Sequence, residues 1–171
     1  MSTPDPLVCS ASELDYKWSL YYHLPQEKSW ALTSYRVVVG NINTIGKAVS
    51  LSEGLTDSIV RYCMLFIMRE GIAPMWEDPR NRTGGAFSFK VANKCVPDVW
   101  RDLMFAMFGG SLMLSPKNNQ FVNGITISPK KNFCIIKVWM SGCNLQDPRS
   151  MLQIDELFKQ GCSFKRHEPE F

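Results

Sequence analysis

"FVNGITISPKKNFCIIKVWM", residues 121–140, holds two runs of apolar and β-branched residues on either side of the polar segment "SPKK". This arrangement is typical of a β-hairpin, in which successive side chains point to opposite faces. The second run therefore divides into two faces: Phe133, Ile135, Lys137 and Trp139 on one, and Cys134, Ile136 and Val138 on the other. The pattern leaves open whether Trp139 belongs to the core or to the floor of a site.

Five other segments have the short apolar or alternating character of strands. In one of them, period-two alternation places Phe87, Phe89 and Val91 on the same face. Trp18 and Trp100 lie on apolar stripes and are predicted to be core residues. The five predicted strands are residues 16–24, 34–42, 61–68, 86–93 and 162–167.

Three segments are predicted as helices from their capping residues and helical spacing. The first follows Asn43 or Thr44, and the second has Asp98 as its N-cap and ends at a pair of glycines. The third begins at Asp147, which a proline follows, and ends at Gly161. The apolar stripe of the third consists of Met151, Ile154, Leu157 and Phe158.

These elements together indicate an α+β fold. We expect an antiparallel sheet of about seven or eight strands with three helices on one face, which leaves the other face free. The chain has 171 residues, and residues 14–171 are predicted to form a single domain. Residues 1–13 are rich in Ser, Pro and Thr and are predicted to be a disordered tail.

Composition argues against several classes of function. The net charge of +3 is too small for a whole-surface nucleic-acid binder. Six scattered cysteines and two histidines predict no metal site and suit a cytoplasmic protein with reduced thiols. No secretion signal or membrane-spanning run is recognised. Phosphate-binding loops, dinucleotide fingerprints and nucleophile elbows are also absent, so we expect neither an enzyme nor a cofactor.

The segment "GIAPMWEDPRNRTGG", residues 71–85, places Trp76 and Glu77 shortly after a proline. An aromatic face beside a carboxylate suits a flat, cationic ligand that carries hydrogen-bond donors. The alternative is an ordinary polar loop whose indole packs into the core. Trp30 follows the turn after another predicted strand, so the two indoles could approach each other over one face of the sheet.

Two indoles and a carboxylate favour one kind of base. Stacking contributes about 1–3 kcal/mol for each base face, and a cationic base adds about 0.5–2 kcal/mol. Glu77 could accept two parallel hydrogen bonds from guanine N1–H and N2–H₂, whereas the corresponding edge of adenine presents an acceptor. The residues therefore favour a guanine-type ligand.

These segments resemble the messenger-RNA cap-binding translation initiation factor 4E family. The resemblance runs from about Leu14 to Phe158. It implies a curved antiparallel sheet with three helices packed on its convex face. It also implies binding of the 7-methylguanosine cap and delivery of capped messenger RNA to a translation initiation complex. The segments that carry it are "GIAPMWEDPRNRTGG" and, in addition, "WSLYYHLPQEKSWAL" (18–32), "VWRDLMFAMFGG" (99–110) and "KNFCIIKVWM" (131–140).

The resemblance also implies roles for individual residues. Trp30 and Trp76 would sandwich 7-methylguanine, Glu77 would read its Watson–Crick edge, and Trp139 would contact the N7-methyl group. The phosphate site departs from the family pattern, because Ala86, Asn132 and Ile135 stand where the family has basic residues. Triphosphate binding should therefore be weaker or differently arranged, and the candidate cations are Lys130, Lys137 and Arg82.

A scaffold protein of the initiation factor 4G type is the partner that the resemblance implies on the convex face. Val49 and Arg101 depart from the family there, so we expect a partner with a changed Tyr-x-x-x-x-Leu motif. The chain also resembles short trypanosomatid-type members, whose caps carry extra methyl groups. A monomer is expected. The implied contact residues are Ile45, Val49, Arg101, Asp102 and Phe105.

A second hypothesis remains open from the sequence. The chain could be a protein-interaction module of the same fold that binds caps weakly and acts as a translational regulator or repressor. The missing basic residues of the phosphate site make this alternative credible.

Overall fold

The computed structural model describes residues 12–167. They contain a seven-stranded sheet in which every neighbouring pair is antiparallel, with the order β2-β1-β3-β5-β6-β4-β7. The strands are β1 (Glu13–His23), β2 (Tyr35–Thr44), β3 (Met64–Arg69), β4 (Gly85–Ala92), β5 (Val122–Pro129), β6 (Phe133–Met140) and β7 (Ser163–Arg166).

Four α-helices accompany the sheet in the described part of the chain. They are α1 (Ile45–Gly54), α2 (Asp57–Tyr62), α3 (Pro79–Arg82) and α4 (Val96–Phe108), and three short 3-10 segments lie at Leu32–Ser34, Pro116–Phe121 and Pro148–Ser150. The sheet is curved, and α1, α2 and α4 pack on its convex face. The predicted fold class is confirmed.

The main core lies between these three helices and the sheet. Trp18 and Trp100 are buried there, as predicted. The predicted alternation of side chains along β6 is also observed, because Cys134, Ile136 and Val138 are buried in this core. A second, smaller apolar cluster covers part of the opposite, concave face and consists of Phe66, Met68, Ile72, Ala86 and Trp139.

Of the two helix predictions that agree with the structure, one needs correction at its start. Thr44 is the N-cap of α1, as expected, and its hydroxyl accepts a hydrogen bond from the Lys47 amide at 3.2 Å. Asp98 is not the N-cap of α4, since that position is Cys95. Asp98 instead lies in the first turn and pairs with Arg101 at 2.6 Å.

The predicted helix from Asp147 to Gly161 is wrong. Only Pro148–Ser150 is helical there, as a single 3-10 turn. The backbone amide of Leu152 bonds to the carbonyl of Leu112 at 2.7 Å, which replaces a bond within a helix. Glu156 has a φ of 63°, which no α-helix accommodates. The third helix on the convex face is α2, which begins in a segment where no helix was predicted. Arg61 and Tyr62 belong to this helix and not to the predicted strand 61–68, which begins at Met64 in the structure.

The predicted disordered tail, residues 1–13, falls mostly on residues 1–11, which lie outside the described residues, and Glu13 is the first residue of β1. Within residues 12–167, no helix has the length and apolar character needed to cross a membrane.

The glycine pair at 84–85 allows β4 to start between β6 and β7. A Cβ atom on Gly84 would collide with the carbonyl oxygen of Met140, and one on Gly85 would collide with the carbonyl oxygen of Lys165. Both obstacles are backbone atoms, which cannot rotate away. The pair therefore serves close strand packing.

Gly84→Ala is expected to lower the free energy of unfolding by at least about 1–3 kcal/mol, because the added methyl group has no room. Gly142→Ala is the matched control, since nothing lies within 4 Å of its added Cβ, and it should change stability by less than about 0.5 kcal/mol. Urea unfolding measures both. Equal stability of the two variants would contradict the packing described.

Candidate functional site

A cavity of about 280 Å³ opens on the concave face of the sheet. Its rim is formed by the loop after β1, which carries Trp30, and by the loop after β3, which carries Trp76 and Glu77. Its floor includes Thr126 and Trp139, from β5 and β6. The structure thus brings the two predicted indoles and the predicted carboxylate to one cavity, which we call the base cavity.

Trp30 presents one face of its indole to this cavity. Its side chain is 52% exposed, so the ring is not a core element. The other face stacks on the imidazole of His23, with ring centroids 4.1 Å apart and an angle of 9°. Tyr35 lies beside both rings. Trp30 is therefore supported from behind and open in front.

Trp76 is 39% exposed and stands on a loop that is held from inside. The amide nitrogen of Asn81, a completely buried side chain, donates to the carbonyls of Ala73 at 3.0 Å and Met75 at 2.8 Å. Its amide oxygen accepts from Asn123 on β5 at 3.0 Å. These bonds fix the backbone on the N-terminal side of Trp76, so the indole reaches the cavity without packing into the core.

Asp78 holds the same loop from the other side. Its carboxylate accepts hydrogen bonds from the backbone amides of Ala73 at 2.8 Å and Arg80 at 2.9 Å, and it caps α3. Burial opposes the charge, but the hydrogen bonds from Ala73 and Arg80 and the guanidinium of Arg80 outweigh it and lower the pKa of Asp78. The ionised carboxylate is the form that stabilises the loop.

Trp139 is both buried and part of the site. Its side chain forms the floor of the base cavity and belongs to the concave-face cluster. Its Nε1 donates to the hydroxyl of Thr126 at 3.1 Å, which orients the indole. Glu77, by contrast, is exposed at the rim. The pKa of Tyr35 is raised to about 12, mainly by burial and to a smaller extent by the charge of Glu77.

A second cavity of about 480 Å³ adjoins the base cavity and shares Trp76, Lys137 and Trp139 with it. We call it the basic cavity, since Lys137, Lys165 and Arg166 line it. Burial lowers the pKa of Lys137, and the charges of Lys165 and Lys130 lower it further. No carboxylate among residues 12–167 forms an ion pair with Lys130, Lys137 or Lys165. An anion bound here would relieve their repulsion.

Strand register explains why Lys165 reaches this cavity. Ala86 on β4 lies opposite Trp139 on β6 and opposite Lys165 on β7, and directly opposed residues share a face of the sheet. Lys165 thus occupies the concave face beside the position where the family pattern has an arginine and this chain has Ala86. Sequence reasoning missed Lys165, although alternation in the predicted strand 162–167 could have placed it.

His167 lies at the edge of the basic cavity and was not among the predicted site residues. Its Nδ1 donates to the carbonyl of Asn81 at 2.8 Å, and its ring centroid is 4.7 Å from that of Trp139. Burial lowers the pKa of His167, and the charge of Lys137 lowers it further. The hydrogen bond with Asn81 acts in the opposite direction but does not outweigh them.

Two predicted phosphate contacts line neither cavity. Lys130 lies at the β5–β6 turn, where its amide bonds to the carbonyl of Phe133 at 2.8 Å, and Arg82 is the last residue of α3. Of the predicted cations, Lys137 is the one that reaches both cavities.

The predicted partner residues form an exposed patch on the convex side. Ile45 and Val49 lie on α1, and Arg101, Asp102 and Phe105 lie on α4, all exposed. A larger cavity of about 900 Å³ lies nearby, between α1, α2 and the β1–β2 edge. It has neither a carboxylate nor a tryptophan in its lining, so it lacks the groups that would recognise a base.

Comparison with known proteins agrees with the fold. Residues 13–169 match the model of the family described as eukaryotic initiation factor 4E. The chain belongs to this family.

Individual relatives differ in length from this chain. Translation initiation factor 4E-1 of Schizosaccharomyces pombe is 31% identical over 156 residues, which cover 88% of this chain and 69% of that protein. Factor 4E-2 of the same yeast is 29% identical and is covered over 56% of its length. A schistosome initiation factor 4E complexed with m7GpppG and 4E-BP superposes with a TM-score of 0.69 at 21% identity, covering 78% of this chain and 74% of that one.

Asp78→Ala is expected to reduce the free energy of unfolding at pH 7 by about 0.5–2 kcal/mol, because a cap and its loop bonds are lost. The folded-state pKa lies below the ordinary value of 3.8, so this stabilisation is present above that value and disappears as the pH falls through the folded-state pKa. Chemical unfolding between pH 7 and pH 2 measures the difference.

Asp147→Ala is the matched control for Asp78. Asp147 also caps a short turn and also has a lowered pKa, but it is solvent-exposed, and its pair with Arg149 is screened. We expect little change in stability. A constant difference between wild type and Asp78→Ala down to pH 2 would show that the carboxylate charge is unimportant.

Proposed function

We propose that this chain binds the 7-methylguanosine cap of messenger RNA and delivers it to a translation initiation complex. The observation that carries the proposal is the base cavity, where two partly exposed indoles and one exposed carboxylate meet over a third indole. Family membership agrees with it. Cap binding needs no bond to be made or broken, so the protein is proposed to act as a reader in the cytoplasm and not as an enzyme.

Recognition of the base follows from the chemistry of these side chains. N7-methylation gives guanine a positive charge, which strengthens its stacking against the electron-rich faces of Trp30 and Trp76. Glu77 then accepts hydrogen bonds from N1–H and N2–H₂, which identify guanine. Trp139, whose indole is oriented by Thr126, contacts the N7-methyl group from the floor.

The phosphates are proposed to enter the basic cavity. Lys137 connects the two cavities, and Lys165 stands across from Ala86, so a chain of phosphates leaving the base would pass both ammonium groups. Lys130 adds charge from the hairpin turn and Arg82 from α3, without lining the cavity. In this arrangement β7 contributes to phosphate binding through Lys165, whereas none of the phosphate contacts predicted from the sequence lies on β7.

A scaffold protein of the initiation factor 4G type is the proposed partner at the convex patch. The patch offers the apolar side chains of Ile45, Val49 and Phe105 together with Asp102 and Arg101. Because Arg101 is engaged by Asp98, a partner helix would meet a neutralised pair there. The patch lies on the face opposite the base cavity, so a monomer could hold both partners at once.

Trp30→Ala and Trp76→Ala are each expected to weaken binding of 7-methyl-GTP by at least about tenfold, since each removes one stacked face. Calorimetric titration is the suitable measurement, because both variants alter tryptophan fluorescence. Phe158→Ala is the control, an exposed aromatic side chain outside both cavities. Wild-type protein that is not retained on immobilised 7-methyl-GTP at low salt would favour the protein-interaction module.

Lys165→Ala should weaken binding of 7-methyl-GTP and make that binding less dependent on salt concentration. Binding of the nucleoside 7-methylguanosine, which has no phosphates, should stay the same. The reason is that screened charge attraction acts on the phosphates alone. Lys117→Ala is the control, an exposed lysine on the 3-10 segment after Ser115. An equal salt slope in wild type and Lys165→Ala would place the phosphates elsewhere.

A further inference from the structure

His23, the last residue of β1, lies directly behind the indole of Trp30. Its side chain is 1% exposed, and Tyr35 meets the imidazole edge-on at 5.1 Å. Because the imidazole and the indole are nearly parallel, the imidazole covers the inner face of Trp30 and leaves the outer face to the base cavity. Any ligand that stacks on Trp30 would form the third layer of this stack.

Both ring nitrogens of His23 face backbone carbonyls in the loop that carries Trp30. Nδ1 is 2.9 Å from the carbonyl oxygen of Leu24, and Nε2 is 2.9 Å from that of Ser29. A carbonyl oxygen only accepts, so a neutral imidazole can donate to one of them and a protonated imidazole to both. His23 therefore ties the start of the loop to Ser29, the residue before Trp30, and a shift of the indole would disturb these contacts.

No carboxylate among residues 12–167 forms an ion pair with His23. In the loop, the carboxylate of Glu27 accepts from the amide of Ser29, and Lys28 is the other charged residue. Tyr35 on β2 is an uncharged phenol, and Met64 is the partner on β3. The contacts that hold the imidazole are therefore its stacking on Trp30 and its hydrogen bonding to the loop.

We propose that His23 is a positioning residue for Trp30 and holds the indole in place for stacking on a cationic base. This inference rests on the proposed function. The imidazole holds the indole plane from behind and fixes its loop.

The first test compares wild type with His23→Phe and His23→Ala. Phenylalanine retains a stacked ring but loses the hydrogen bonding to the loop, and alanine loses both. At pH 8 we expect His23→Ala to bind 7-methyl-GTP about tenfold more weakly than wild type and His23→Phe to stay within about threefold. Thermal unfolding shows whether the variants are folded at the assay temperature.

Comparison of the two variants separates positioning from a loss of folding. Recovery of affinity in His23→Phe, at a folded fraction equal to that of His23→Ala, is expected because a ring still lies behind Trp30. Equal weakening in both variants, or wild-type affinity in His23→Ala, would overturn the proposal.

A second test needs no nucleotide, so it separates this inference from the proposed function. The emission of Trp30 is taken as the difference between a protein and its Trp30→Phe variant. Acrylamide should quench this emission more strongly in His23→Ala than in wild type or His23→Phe, because the inner face of the indole is uncovered in His23→Ala. If the variants differ in this way but wild type binds no cap, the proposed function fails and the support of Trp30 by His23 stands. If quenching is equal in all three proteins, the support is refuted.

Discussion

The completely buried amide of Asn81 is the interaction on which the site depends. Its nitrogen bonds to the carbonyls of Ala73 and Met75, its oxygen accepts from Asn123, and its own carbonyl accepts from His167. A buried amide is costly unless its hydrogen bonds are made, so these segments have one favourable arrangement. That arrangement presents Trp76 and Glu77 to the cavity although neither is packed in the core.

The two faces of the sheet carry different chemistry because each strand alternates. On the convex face, apolar side chains pack under α1, α2 and α4 and supply most of the core. On the concave face, a small apolar cluster ends at Trp139, and beyond it Lys137 and Lys165 form no ion pair with a carboxylate of the described residues. A stacked base and its phosphates would therefore meet a graded surface, apolar under the ring and positive under the tail.

Local sequence patterns correctly predicted those elements whose conformation depends on residues close by in the sequence. The β5–β6 hairpin, the alternation of β4 and the Thr44 cap agree with the structure because each depends on neighbours within a few residues. The predicted helix at 147–161 failed for the opposite reason. Its apolar spacing is helical, but the amide of Leu152 pairs with Leu112, about forty residues away in the sequence, and a distant backbone partner leaves no trace in a local pattern.

The amino-acid sequence by itself determined the family, the fold class and the identity of the aromatic and acidic side chains that line the base cavity, since these follow from residue type and short-range spacing. Tertiary structure alone decided that Lys165 stands beside Ala86, that His23 lies behind Trp30, and that Lys130 and Arg82 stay outside the cavities. These placements depend on strand order and on loops that meet across the sheet. Such distances are set by packing of the whole chain, so no segment encodes them alone.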